Sequence, residues 1–467
     1  MQIPILNGTY VDVNSNIRTS YPLNLVPVVK KQGISNGYLR PSVGIIEFAI
    51  GTGFDRGAIN WNDLCYRVMG ENLIVVNSDG SIKIIGSVKN DNKPVKFDYS
   101  FDRLAILSSG KLWYYDGITL RQVVDIDLGN VVDFLWIDGY FMTTDGTSLI
   151  VTELNSPTSV NPLKYGSSEI DPDGVKAILK LRNEVYAINR NTIEVFENVG
   201  GILFPFQRIS GAQIMRGAIG TRCCCLFSEA IAFLGSARNE QPAIWLAVNG
   251  SSIKISTREI DQILSKYDHA ELESVVFESS VNDGYNHLYI RLPNKTLVYD
   301  QNASAVVQEP VWFILSSSID GNGLYRAINR VWCYNKWIVG DPLSEKVGVE
   351  TNEVSSHWDE VIGWEFNTDI IYNESKGLIF HEIELIILSG QAAIGKKPYI
   401  QTSYSLDGVN YSQEKTIKIG KNGDRNLKIK FLQQGVMQNW RTQKFKGTSD
   451  CYASFIRIEA RIEALYA

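Results

Sequence analysis

Three stretches of the chain have the residue types and spacing of reactive loops. Gly33-Ile34-Ser35-Asn36-Gly37 has the Gly-x-Ser-x-Gly spacing of a nucleophile elbow, with Asp and His residues downstream in the order a hydrolase needs. An elbow works only where a buried strand delivers the serine to a strained turn and a helix leaves it. Here Lys30, Lys31 and Gln32 precede the motif and Tyr38-Leu39-Arg40-Pro41 follows, so a plain loop is the better reading. Residues 390–396 match a phosphate-binding loop as far as Lys396. Lys397 and Pro398 then stand where a magnesium-holding Ser or Thr and a helix are required. Ser405-Leu406-Asp407-Gly408-Val409-Asn410-Tyr411 looks like the aspartate box of sialidase-type propellers. Such boxes are turns held by Asp side chain to backbone bonds. Glycoside hydrolysis needs two placed carboxylates, and no pair stands out among the 51 acidic residues.

The four histidines, His269, His287, His357 and His381, form no His-x-x-x-His or His-Glu-x-x-His pair, which argues against a metalloenzyme. Exposed polar or half-buried strand positions are expected for them. The six cysteines, Cys65, Cys223, Cys224, Cys225, Cys333 and Cys451, lack the paired spacing of a zinc site or a secreted disulfide framework. They read as buried thiols of a reducing compartment. No catalytic residue, metal ligand or cofactor is assigned.

Charge gives the one candidate site. Lys415, Lys418, Lys421, Arg425, Lys428, Lys430, Arg441, Lys444 and Lys446 face only Asp424 across residues 415–446, a net +8 that leaves −14 on the remainder. In Leu427-Lys428-Ile429-Lys430-Phe431 the alternation puts both lysines on one strand face. A solvated sheet face is one reading; a surface steered toward an acidic partner or toward DNA is the other. The acidic remainder argues against a general nucleic-acid binder.

The elements that carry these residues are strands. From about residue 60 to 350, short Val/Ile/Leu/Tyr runs alternate with turn pairs: 73–76, Asp79-Gly80, 82–85; 104–107, Ser109-Gly110, 112–115, Asp116-Gly117; 134–137, Asp138-Gly139, 140–143, Asp145-Gly146, 149–152. Units of 25 to 50 residues follow one another, the period of propeller blades, and six or seven are expected. One helix interrupts them: Ser256 and Glu259 have capping-box spacing, and Ile260, Ile263, Leu264 and Tyr267 form a stripe. After about residue 351 longer strand-like runs at 379–388, 399–405, 416–419, 427–432 and 455–462 suggest a β-sandwich. The expected fold is all-β: an N-terminal segment (1–57), a β-propeller (58–351) and a C-terminal β-sandwich (352–467).

The composition agrees. Of 467 residues 44% are hydrophobic and 21% charged, an ordinary globular balance with a formal charge of −6. Gly (38) and Pro (14) make up about one residue in nine, which suits many short turns. The apolar runs are all short, so no membrane span is expected, and the first residues carry no basic, apolar secretory pattern.

The order of segments resembles the tail hub, or packaged-DNA stabilisation, proteins of short-tailed phages. The segments are Gly37-Tyr38-Leu39-Arg40, Gly44-Ile45, Arg56-Gly57, Tyr66-Arg67-Val68-Met69-Gly70, Pro172-Asp173-Gly174, Asn191-Thr192-Ile193-Glu194-Val195-Phe196, Arg216-Gly217-Ala218-Ile219-Gly220-Thr221, Arg291-Leu292-Pro293 with Leu297-Val298-Tyr299-Asp300, and the 406–411 turn. Pro41-Ser42-Val43 and the Cys223–Cys225 cluster depart from that pattern. The resemblance implies a late virion protein without enzymatic work. Six copies would form a ring below the portal and its adaptor, close the DNA channel after packaging, carry tailspikes and the central needle, and touch the exiting DNA. It would be made in the host cytoplasm. The rival readings are a propeller-based glycosidase and a cellular propeller scaffold.

Overall fold

The computed structural model describes residues 1–3, 5, 21–30, 35, 37–154, 156–282, 284–374, 376–388, 392, 395–424 and 427–465. The hairpins close where Asp-Gly pairs demand it. Asp79 Oδ1 accepts from Ser81 N at 2.9 Å, Asp116 Oδ1 from Ile118 N and Thr119 N at 2.9 and 2.6 Å, and Asp145 Oδ1 from Thr147 N and Ser148 N at 2.8 and 2.7 Å. The glycines that follow take φ between +84° and +98°, which a Cβ would disfavour. Between these turns lie Asn72–Val76, Ile82–Ser87, Leu104–Ser108, Lys111–Tyr115, Asp133–Ile137, Tyr140–Thr144 and Ser148–Glu153, within a residue or two of the expected runs.

Seven antiparallel sheets of four or five strands follow one another among the described residues. They are blade 1 (residues 55–87), blade 2 (96–122), blade 3 (133–167), blade 4 (175–208), blade 5 (217–254), blade 6 (276–315) and blade 7 (328–351). Blade 7 takes its fourth strand, Gly44–Ile50, from upstream of blade 1. The chain divides into two compact units, residues 47–280 with 326–349, and residues 1–46, 281–325 and 350–467.

In the first unit each hydrophobic core is shared by two sheets. Val68 and Leu73 of blade 1 pack with Leu104 and Ile106 of blade 2. Leu107 and Leu112 pack with Phe134 and Phe141 of blade 3. Leu135 and Met142 meet Ile178 and Val185 of blade 4, Ile188 and Val195 meet Ile231 and Phe233 of blade 5, and Ile338 and Val347 of blade 7 meet Cys65 and Ile74 of blade 1. Burying each such side chain contributes about 1.5–3 kcal/mol. Blades 1 and 7 are also tied by charge: Arg67 Nε donates to Asp55 Oδ2 at 2.6 Å and Arg67 Nη2 to Asn329 O at 3.1 Å, and the Asn329 amide donates to Asp55 Oδ1. Both charged side chains are fully buried.

In the second unit two sheets face each other. One runs Leu25–Val29, Gly37–Pro41, Ser454–Ala464, Leu378–Leu388, Ile429–Leu432; the other Gly363–Asn367, Trp440–Thr448, Tyr399–Ser405, Lys415–Lys418. Their shared core stacks Phe366 on Phe445 (centroids 5.2 Å) and sets Trp364 and Phe366 against Phe455 (4.6 and 5.0 Å). Asn24, buried at φ +52°, joins this sandwich to the end of blade 6. Its amide donates to Ser316 O and Gly363 O at 2.8 and 2.7 Å, and its carbonyl accepts from Ser316 N at 2.9 Å.

The described residues hold three short α-helices where one was expected: α1 (Arg258–Leu264), α2 (His269–Glu273) and α3 (Gln301–Val307). Thr257, not Ser256, caps α1, because the Ser256 hydroxyl is engaged with Asp261 (2.6 Å) and Ile244 N (3.2 Å). The capping box belongs to α2, between Asp268 and Glu271.

Two stability predictions follow from buried charge. Arg67→Met removes the cation facing the buried Asp55 and leaves its carboxyl only the Asn329 amide, so urea unfolding should lose about 3–5 kcal/mol, and Arg67→Met with Asp55→Leu should lose less than Arg67→Met alone. Asp369, between Gly363–Asn367 and Ile371–Tyr372, has its carboxyl pushed up to about 6 by burial. The native state therefore holds that proton to higher pH than the unfolded chain, and stability falls as pH rises from about 4 through about 6. Asp369→Asn should be more stable than the parent by about 2 kcal/mol at pH 7.5 and equal to it at pH 4 in paired thermal melts.

Candidate assembly interface

The basic window divides into a compensated part and a free part. Arg441, in Trp440–Thr448, is fully buried and is no surface residue. Its guanidinium lies between the rings of Phe380 and Tyr404, 4.2 Å from each centroid, and donates to Gln434 O at 2.9 Å and to the Gln443 side chain. Burial pulls it down to about 10. An apolar sheet interior with two aromatic faces offers this cation packing and cation–π attraction, which is why it turns inward.

Lys430 bridges Glu382 and Glu384 at 2.5 and 3.3 Å, Lys444 pairs with Glu365 at 3.2 Å over the Tyr411 ring, and Lys446 pairs with Glu414. Lys415 Nζ donates to Leu432 O at 2.9 Å and also to Gln433 O, so it fastens the edge strand Lys415–Lys418 to Ile429–Leu432 at the edge of the facing sheet. The Lys428/Lys430 alternation is present, with Ile429 and Phe431 buried and the two lysines outward. Three exposed cations have no side-chain acceptor among the described residues: Lys418, Lys421 and Lys428, all at the connection between those two edge strands. Arg425 lies outside the described residues.

The acidic partners stand at or beyond the ends of the window, which is why a charge count over 415–446 misses them. The signal was available in Leu378–Leu388, where Glu382 and Glu384 alternate with Ile383 and Leu385 and so share one face.

The motifs of reactive type are structural. Ser35 Oγ donates to Gly37 O; Lys31, Gln32, Gly33, Ile34 and Asn36 lie outside the described residues. So do Gly390, Gln391, Ala393 and Ile394, while Lys396 sits 3.5 Å from Asp450 and the strand Tyr399–Ser405 follows. In the aspartate box Asp407 Oδ1 accepts from Val409 N and Asn410 N at 2.8 and 2.7 Å, and Oδ2 from Asn410 Nδ2 at 2.7 Å. These bonds hold its carboxyl well below the usual carboxylate range, occupied in a turn.

Two of the four histidines depart from expectation, being buried: His287 against Asp300 (3.2 Å), and His357 with Nδ1 2.8 Å from Ser317 Oγ. A polar partner for each ring makes burial tolerable. His269 is exposed on α2, and His381 is exposed, 2.8 Å from Glu463. The cysteines are free, five buried and Cys225 half-buried; burial pushes the thiols up, Cys65 and Cys451 to about 11 and Cys223 to about 12, which makes them poor nucleophiles.

Comparison with known proteins accords with this architecture. Residues 1–355 match the family model described as bacteriophage P22 Gp10, beta-propeller, and residues 363–463 the one described as bacteriophage P22 Gp10, beta-sandwich. The tail hub protein gp10 of Salmonella phage P22 is 26% identical over 442 residues, 89% of this chain and 90% of that protein. Among solved structures, the N-terminal domain of Nup159 is 8% identical with a TM-score of 0.43, covering 71% of this chain and 98% of that one. PorZ, from the type-IX secretion system of Porphyromonas gingivalis, is 13% identical with a TM-score of 0.41, covering 65% and 37%. Likeness that loose carries no functional weight. With both family models in chain order and together spanning most of its length, the chain belongs to the bacteriophage P22 Gp10 family.

Proposed function

We propose that this protein is the tail hub of a short-tailed phage, a structural virion component that does no catalysis. The observation that carries the reading is the 26% identity with the P22 tail hub protein along nearly the whole of both chains. The finer account is an expectation of the same reading: six copies in a ring below portal and adaptor, closing the DNA channel, stabilising packaged DNA, and holding tailspikes and needle. A six-fold ring needs two different patches on each subunit whose rotation closes after six copies.

The physical properties support it. Packaged DNA exerts pressure, and sheets that share every core with a neighbour resist deformation as close-packed interiors do. A charge of −14 outside the basic window weakens any hold on departing DNA, since duplex binding depends on many Lys/Arg to phosphate contacts. Of that window, the Lys418, Lys421 and Lys428 tip is the part with charge left over for an acidic neighbour in the assembly.

Electron microscopy of the purified protein mixed with portal and adaptor should show a six-fold annulus; a monomer that ignores the portal would overturn the reading. The combined variant Lys418→Glu, Lys421→Glu, Lys428→Glu should keep the parent melting temperature and weaken complex formation about tenfold at low salt, with the difference shrinking at high salt. Unchanged assembly would remove the tip from the interface.

A further inference from the structure

A cavity of about 720 Å³ opens among the loops that lead into the first strands of blades 2 and 3, beside blade 5 and α2. Leu107, Val131 and Val276 line it together with Lys93, Thr221 and Arg222. Arg222 is there because blade 5 is broken at its inner edge. Gly217–Ala218 and Cys224–Phe227 both pair with Ala230–Ser236, while Ile219 N donates to Leu234 O at 3.0 Å and Leu234 N to Cys223 O at 2.8 Å. Residues 220–222 are thus squeezed out of the ladder as an insertion, the device by which sheets re-aim a side chain. Glycine makes the insertion possible: a Cβ on Gly220 would lie 2.2 Å from Glu273 O, and one on Gly235 would lie 1.6 Å from Gly217 O. The segment 216–221, singled out in the sequence, therefore shapes this loop.

The charges around the cavity do not cancel. Asp91 is met by Arg56 at 2.5 Å and Glu273 by Lys176 at 2.9 Å. Asp133 Oδ2 takes Lys96 Nζ at 2.7 Å and Ile178 N at 2.8 Å, leaving Oδ1 buried without a hydrogen bond. Arg222 stands 3.9 Å from that Oδ1, too far for a hydrogen bond, and its guanidinium has no acceptor among the described residues. Lys93 Nζ has none either, and Arg190 adds positive charge near Glu273. A half-buried fork of N–H donors over apolar walls, reached by solvent and without an acceptor of its own among the described residues, is available to an incoming carboxylate.

We propose that this cavity is a carboxylate-binding site, in which Arg222 receives an acidic side chain or terminal carboxylate of a partner protein while Lys93 screens it at the mouth. The walls suit the methylenes of such a side chain. A single carboxylate fits a modest positive excess, whereas the three neighbouring acids, Asp91, Asp133 and Glu273, repel a run of phosphates.

The test is calorimetric titration of the intact protein with the single-carboxylate peptide N-acetyl-Ala-Glu-Ala-amide, with inorganic phosphate and a single-stranded oligonucleotide as separate arms. The peptide should bind saturably, about tenfold more weakly in Arg222→Gln and measurably more weakly in Lys93→Gln, which is exposed and decides the matter if Arg222→Gln does not fold. Peptide binding absent in the parent, or undiminished in the folded variants, would overturn the proposal. So would phosphate or the oligonucleotide binding at Arg222 in preference to the peptide.

Discussion

A sheet of four short strands has two faces and can cover neither by itself. That constraint governs the first unit. Trp61, Val68 and Leu73 on one face of blade 1 are buried by blade 2, and Cys65 and Ile74 on the other by blade 7, so no blade owns a complete core. Rigidity follows from the same arrangement: displacing one sheet opens two cores at once. The buried Arg67–Asp55–Asn329 cluster adds a polar condition to this apolar one, since its donors and acceptors are satisfied only when blades 1 and 7 hold their places.

The sandwich solves the same problem with two larger sheets and spends its polar residues differently. Arg441 fills space between Phe380 and Tyr404 in the interior, whereas Lys430 and Lys444 pair with carboxylates of neighbouring strands and Lys446 with Glu414, just ahead of Lys415–Lys418. Lys415 covers the carbonyls of an open edge, where bare strands would otherwise recruit foreign ones. Of the basic window, three cations on one connection, Lys418, Lys421 and Lys428, are left without a side-chain acceptor among the described residues.

Turn chemistry made the blades legible from sequence. Asp-Gly pairs have few conformations, and the strands beside Asp79, Asp116 and Asp145 lie within a residue or two of where those pairs put them. Pairing over long distances was not legible. Nothing in Gly44–Ile50 announces that it completes a sheet with Lys346–Thr351, nor in Leu25–Val29 and Gly37–Pro41 that they extend the sheet of Ser454–Ala464. Trp440–Thr448 was hidden because three consecutive polar residues, Arg441, Thr442 and Gln443, are buried in it, where apolar ones would be expected. Net charge along the basic strip likewise carries no record of which carboxylates lie across the sheet, nor that Arg441 turns inward.

The strand Gly44–Ile50 has a consequence in time. Its partner, Lys346–Thr351, leaves the ribosome some 300 residues later, and contacts of such separation form slowly and last. Until then Gly44–Ile50 has no sheet to join. Pairing of the two is thus a late event, and the order of synthesis sets the moment at which that sheet can close.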